Sequence, residues 1–290
     1  MSINKSTTVR TIPLTLRAAA CGLRALGAVA PGSAAAASAK LFCYPPQHPR
    51  PSREATWLEE ALPFKVRVGR SEVQAWRWGT GSRVVFLMHG WAGRGAQLGA
   101  MAAPLVQRGY TVVTWDGPAH GESDGKTSSL VELADAAFAV ARKLRVEPYG
   151  VIAHSMGAAA AALAMGEGLA FQRVVMISSP ASMLHFIHGY AEVMGFSPGL
   201  RERMTRWMNR TYSVDLADYD VEVMDVPHGE RILLIHDERD KEVPIEHSER
   251  IAKAAGIHQF IRTQGLGHRR ILYAETTIEQ AVGWIDGGQH

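Results

Sequence analysis

Gly150-Val151-Ile152-Ala153-His154-Ser155-Met156-Gly157, followed by an alanine-rich run through Met165, is the stretch on which the reading of this chain turns. Apolar, β-branched residues lead into a serine set between small residues, and strong helix formers follow at once. That order specifies a strand, a tight turn at Ser155 and a helix. A serine at such a turn is held off the sheet edge with its hydroxyl exposed, and the first helical turn directs free N–H groups towards it. Small side chains at Ala153 and Gly157 answer a steric demand, because strand and helix fold back on each other there. The uncharged run from Pro148 to Gly166 is long enough to mimic a membrane span, but the turn inside it marks buried core.

Outward from this stretch the same alternation repeats. Val84–His89, Thr111–Asp116, Val174–Ser178, Ile232–His236 and Gln259–Thr263 read as strands; Ala96–Arg108, Ser129–Arg145, Ala158–Gly168, Glu246–Ala255 and Ile271–Ile285 read as helices. Before them, Phe64 to Trp78 alternates in polarity around Gly69-Arg70, the pattern of a hairpin at a sheet edge. Nearly continuous apolar strands separated by helices imply a mostly parallel sheet covered on both faces. One connection is too long for this scheme. The stretch of about 180–227 carries Phe186, Met194, Trp207 and other large apolar residues between glycine and proline breaks. It reads as a cap of two or three short helices near the strand ends where open α/β sheets bind ligands.

The 290 residues suit one large α/β domain with an insertion. Net charge is +3, but no acid precedes Glu54, whereas seven basic residues do, among them Arg10, Arg17 and Arg24 at seven-residue intervals. The positive excess therefore belongs to a basic arm and proline-rich linker, residues 1–53, ahead of a domain spanning 54–290, and it gives no nucleic-acid-binding face. The arm reads as a helix packed on the domain, with a signal or transit segment and a weakly membrane-associated surface helix as alternatives. Its apolar stretch is interrupted at Arg24 and at Pro31-Gly32-Ser33, so it supplies no transmembrane segment. The expected location is cytoplasmic, with an exported or membrane-peripheral protein as the alternative. Cys21 and Cys43 have neither CxxC spacing nor neighbouring ligands, and no disulfide framework follows. Nothing in the sequence specifies an oligomeric state.

Polar loops fall at the predicted strand ends: His89 to Gly95, Asp116 to Ser123, the Ser155 turn, His236 to Pro244, and Gly265-Leu266-Gly267-His268. With these motifs the chain resembles the α/β-hydrolase family over roughly Phe64 to Trp284, in the chain order serine, aspartate, histidine. The family's pattern places glycine where Ala153 stands, a mild departure that still fits a close strand–helix turn. The resemblance implies an α/β-hydrolase fold, a mostly parallel sheet with helices on both faces and a short helical cap. It also implies Ser155 as nucleophile, His268 as base and Asp240 as the carboxylate that orients it, with Asp237 and Glu238 as rivals for the last role. The oxyanion would be held by the backbone N–H of Met156, next to the nucleophile, and by that of Trp91.

The expected chemistry is cleavage of a small carboxylic ester, of short to medium acyl length, through an acyl-enzyme intermediate, with Phe186, Met194 and Trp207 lining the acyl pocket. A peptidase, thioesterase or lactonase on the same residues is the nearest alternative, and a non-catalytic ligand-binding member of the fold a more distant one. No cofactor and no metal is expected. Gly121 to Thr127 is one residue short of a P-loop, Leu98 stands where a dinucleotide fingerprint needs its third glycine, and the loop histidines lack zinc-site spacing. Those histidines, His89, His120 and His236 in particular, are expected to hydrogen-bond loop backbone. Arg269 and Arg270 are candidates for anion recognition, although opening a surface helix is the plainer role for both.

Overall fold

A computed structural model describes residues 14–221 and 226–287. Lys5 and Arg10 of the basic arm and residues 222–225 of the expected cap lie outside them. The described chain forms an eight-stranded sheet: β1 (Leu62–Val68), β2 (Ser71–Trp78), β3 (Arg83–Met88), β4 (Tyr110–Trp115), β5 (Gly150–His154), β6 (Arg173–Ile177), β7 (Ile232–Asp237) and β8 (Gln259–Thr263). The strand order is β1-β2-β4-β3-β5-β6-β7-β8. The first two strands pair antiparallel as the expected hairpin, β2 meets β4 antiparallel, and every later pairing is parallel. Strands β4, β5 and β7 are buried along their whole length, which is why they read as unbroken apolar runs.

The helices are α1 (Leu14–Val29), α2 (Pro31–Phe42), α3 (Ser52–Glu59), α4 (Ala102–Gln107), α5 (Leu130–Leu144), α6 (Met156–Gly166), α7 (Met183–Val193), α8 (Pro198–Tyr212), α9 (Glu246–Ala254), α10 (Gly267–Arg270) and α11 (Glu275–Ile285). Two predicted helices are broken. The segment from Ala96 opens as a 3₁₀ turn, Gly95–Met101, before α4, where Pro104 falls in the first helical turn and sacrifices no intrahelical bond. Ile271–Tyr273 is likewise 3₁₀, because Ala274 is extended and starts α11 afresh. Ser129 caps α5 by accepting from the Glu132 N–H at 3.2 Å while its hydroxyl donates to the Glu132 carboxylate at 2.9 Å.

The chain divides into two compact units. One holds the residues through Phe42 and Leu184–Val214: α1 and α2 with most of the insertion. Its small core joins Ala34 and Ala35 of α2 to Leu200 of α8, with Leu26 and Phe196 against them. The arm's helices thus share a unit with α7 and α8, a partnership that no periodicity announces. Among the described residues no helix is long and apolar enough to cross a membrane. The other unit, from Cys43 to Met183 and from Asp215 on, contains the sheet. Its segment before α3, rich in proline, is held to the loop after β4: Gln47 donates to the Ala119 carbonyl at 2.7 Å, and Ser128 N–H to that of Cys43 at 2.8 Å.

Helix α6 is buried from Gly157 to Met165, apolar on every side, as a helix inside a core must be. Its start is packed against the end of β3. A Cβ added at Gly157 would lie 2.3 Å from the His89 carbonyl oxygen and 2.6 Å from that of Met88. Alanine ordinarily stabilises an exposed helix position by up to about 1 kcal/mol over glycine. Gly157→Ala should reverse that sign and cost about 1–3 kcal/mol through overpacking against backbone. Gly189→Ala in α7, where a Cβ meets nothing within 4 Å, should be neutral or stabilising. Urea denaturation of the two variants checks the contrast; equal effects would contradict the packing argument.

Candidate active site

Five loops meet at the C-terminal ends of the parallel strands. Ser155 occupies the turn between β5 and α6 at φ 52°, ψ −126°, a conformation that side chains other than glycine rarely adopt. Its N–H is held by the Ile177 carbonyl at 2.8 Å. Gly90 makes room opposite, since a Cβ there would come within 2.8 Å of the Ser155 Cβ. Ser155 remains 9 % exposed, enough for its hydroxyl to face a cleft.

The Ser155 hydroxyl lies 3.0 Å from His268 Nε2, and His268 Nδ1 lies 2.7 Å from Asp240 Oδ2. His268 comes from the single turn α10, and Asp240 from the loop after β7. The Glu242 and Val243 N–H groups donate to Asp240 Oδ1 at 2.8 and 3.0 Å. Burial alone would raise the Asp240 carboxyl, but hydrogen bonds from His236 and His268, the charge of His268 and the Val243 N–H outweigh it and hold it far below the usual range. An ionised carboxylate only accepts, so the His268 proton sits on Nδ1, leaving Nε2 bare towards the serine. Asp237, the rival, is turned elsewhere. It accepts from Thr263 Oγ1 and Leu266 N–H at 2.9 Å each and fixes the loop leading to α10.

Met156 is the first residue of α6, so its N–H has no partner within the helix. Among the described residues the Trp91 N–H also makes no backbone bond. The remaining histidines hold backbone. His89 donates from Nδ1 to the Gly90 carbonyl at 2.7 Å and accepts the Gly117 N–H on Nε2 at 2.8 Å. His120 donates to Pro118 at 2.9 Å, and His236 to Val243 at 2.9 Å. Burial lowers His89 to about 3 and His120 to about 4, so both rings stay neutral. Phe186, Met194 and Trp207 belong to the helical unit, where Met194 is buried; the cleft beside Ser155 is lined by residues of the sheet-bearing unit.

Three groups to which the sequence assigns no role of their own shape this site. His154, directly before the serine, donates from Nε2 to the His268 carbonyl at 2.9 Å, and burial together with the charge of His268 lowers it to about 3. It ties the strand carrying Ser155 to the turn carrying His268. Asp116 joins two loops by accepting the Gly95 N–H at 2.7 Å and the Glu122 N–H at 2.8 Å; burial pushes its carboxyl up to about 6. A raised folded-state value means Asp116 favours folding at low pH, and that contribution is lost as pH rises through about 6. The third is an ion pair: buried Glu54 of α3 binds buried Arg94 in the loop after β3, through Nε and through Nη2, the latter at 3.1 Å. Arg94 and Glu54 lie 40 residues apart, and no local pattern links them.

A model of the alpha/beta hydrolase family matches residues 84–280. No curated protein matches the chain by sequence. Among solved structures, an esterase of Pyrococcus furiosus aligns at 20 % identity over 83 % of this chain and 98 % of its own, with a TM-score of 0.61. A bacterial membrane phospholipase A aligns at 17 % identity over 92 % and 97 %, TM-score 0.62. A 2-hydroxy-6-oxo-6-phenylhexa-2,4-dienoate hydrolase of a Rhodococcus strain aligns at 17 % over 78 % and 98 %, TM-score 0.58. At these identities the likeness is one of fold.

The Glu54–Arg94 pair yields a stability prediction. Glu54→Ala strands a buried guanidinium and should lower the unfolding free energy by about 3–5 kcal/mol. Glu72→Ala, which breaks the solvent-exposed pair with Lys65, should have a far smaller effect. Chemical denaturation of both variants measures the difference; similar small losses would show that Arg94 reaches solvent when its partner is removed.

Proposed function

The chain belongs to the alpha/beta hydrolase family, and from that premise we propose that it is a serine hydrolase cleaving carboxylic esters through an acyl-enzyme intermediate. One observation carries the reading: the unbroken line of hydrogen bonds from Ser155 through His268 to Asp240, starting at a strained turn. A serine hydroxyl is a weak nucleophile until a base accepts its proton, and His268 Nε2 is within reach to do so. As Ser155 Oγ bonds to the ester carbonyl carbon, its proton passes to His268. Asp240 then stabilises the imidazolium without itself taking the proton. The carbonyl oxygen, now negative, is held by the Met156 and Trp91 N–H groups. Backbone donors at a helix start and in a loop anchored by His89 would need little reorganisation as that charge forms. Collapse expels the alcohol, which leaves with the proton from His268. Water enters by the same sequence to release the acid and restore Ser155.

The choice of an ester is supported by the names of two structural neighbours, an esterase and a phospholipase A. The size of the cleft, about 200 Å³, is below the roughly 300–1,000 Å³ of sites for drug-sized ligands and supports short to medium acyl groups.

Ser155→Ala should reduce ester turnover by several orders of magnitude in a folded protein. More than about a tenth of the original rate would refute the nucleophile. Asp240→Asn should cost about 10³–10⁴ in turnover by displacing the His268 tautomer. Asp237→Asn should act far more weakly on kcat, since Asp237 holds a loop and not the imidazole. Steady-state kinetics on a chromogenic acyl ester decides between them, and the reverse ranking would transfer the role to Asp237.

A further inference from the structure

We infer that the substrate carries an anionic oxyacid group, a carboxylate or a phosphate, and that Arg53 is the residue that receives it. The inference rests on the reading of Ser155 as nucleophile, and concerns what the cleft beside it selects. Three arginines and two glutamates line that cleft together with Ser155 and His268. Four of these charges cancel in pairs. Arg94 is bound through two nitrogens to Glu54, and both are buried. Arg269 meets Glu242 through Nε at 3.2 Å and Nη2 at 3.3 Å. Arg270, the other sequence candidate, is folded back on the Leu266 and Gly265 carbonyls at 3.1 and 2.6 Å.

Arg53 is the charge left over. Among the described residues it has no carboxylate partner, and its side chain makes no hydrogen bond. It is not adrift, however: its guanidinium carbon lies 3.9 Å from the centroid of the Tyr273 ring, another residue lining the cleft. A guanidinium held over an aromatic face by its central carbon is anchored there while its N–H groups remain available. That is the arrangement suited to a carboxylate or phosphate, which takes two parallel hydrogen bonds from it. A purely apolar substrate would desolvate this cation without giving anything in return. Helix α3 therefore supplies two adjacent residues with separate tasks: Glu54 neutralises Arg94 of the loop that carries Trp91, and Arg53 presents an unmatched charge to the substrate. Arg53 acts here as a specificity-determining residue.

The test uses matched ester pairs with the full-length protein. One pair is 4-nitrophenyl hydrogen glutarate against its neutral methyl ester. The other is a short-chain 1-acylglycerol 3-phosphate against the uncharged 1-acylglycerol. The ratio of kcat/KM within a pair should favour the anion by roughly ten- to a hundredfold, the size expected of hydrogen bonds to a charged group. The pair that shows it identifies the oxyacid. Arg53→Gln should bring that ratio down to near one, mainly through KM, and Arg53→Lys should restore only part of it, because charge returns without the planar fork. Ratios near one in both pairs, or a ratio unchanged in Arg53→Gln, would overturn the inference while leaving the serine hydrolase reading in place. If no ester is cleaved above the Ser155→Ala background, the hydrolase reading fails. Calorimetric binding of glutarate and of glycerol 3-phosphate then decides the anion site alone. Binding lost in Arg53→Gln upholds it, and no binding to the unaltered protein overturns it.

Discussion

Everything at the site depends on holding one serine in a backbone conformation it would not choose. A residue at φ 52° with a side chain costs on the order of 1–3 kcal/mol, and it persists only where the surroundings leave no alternative. Here three restraints converge on it. The Ser155 N–H is fixed to β6 through Ile177, Gly90 vacates the space opposite its Cβ, and Gly157 lets α6 pass against the end of β3. Relaxing any one would let the turn open and withdraw the hydroxyl from His268. The small residues around Ser155 are thus a consequence of geometry and not of composition.

Around that turn, chemically similar groups are separated into different tasks by their surroundings. Asp116, Asp237 and Asp240 all lie at or beyond the ends of strands. Asp116 is so deeply buried that its two N–H donors fail to keep its carboxyl low, and it serves as a loop tie. Asp237 gathers donors from the loop before α10 and fixes where His268 sits. Asp240 alone touches the His268 ring, with enough donors to stay ionised against its burial. The histidines divide in the same way. His89, His120 and His154 are kept neutral by burial and act as donors to carbonyl oxygens; His236 bridges the Val243 carbonyl and the Ser248 hydroxyl, and His268 joins the Ser155 hydroxyl to the Asp240 carboxylate.

Much of this could be read from the sequence because its signals are local. Strands β5 and β8 span the residues the alternation predicts, Gly150–His154 and Gln259–Thr263, and the hairpin before β3 follows its alternation. Ser155, His268 and Asp240 are 113 and 28 residues apart; the Ser155 turn is legible from its own strand and helix, whereas His268 and Asp240 follow from the family resemblance, which leaves Asp237 and Glu238 as rivals. What the sequence does not display depends on partners distant along the chain. Glu54 looks like a helix surface charge until Arg94 is seen beside it, and Arg53 looks like the last cation of a basic arm until Tyr273 stacks on it. The grouping of α2 with α8 rests on alanines meeting a leucine, a contact with no periodic signature of its own. The break at Met101 places Pro104 in the first turn of α4, and the break at Ala274 is an extended residue within a run otherwise suited to one helix.

The central claim is that Ser155 is a nucleophile activated in place, and it can be examined without knowing the natural substrate. A fluorophosphonate reacts with a serine only where a neighbouring base takes the proton and N–H donors hold the developing oxyanion. The folded protein, treated with such a probe and digested for mass spectrometry, should carry a single adduct on the peptide containing Ser155, and heat-denatured protein should carry none. An adduct on another serine, or none on the folded protein, would contradict the account.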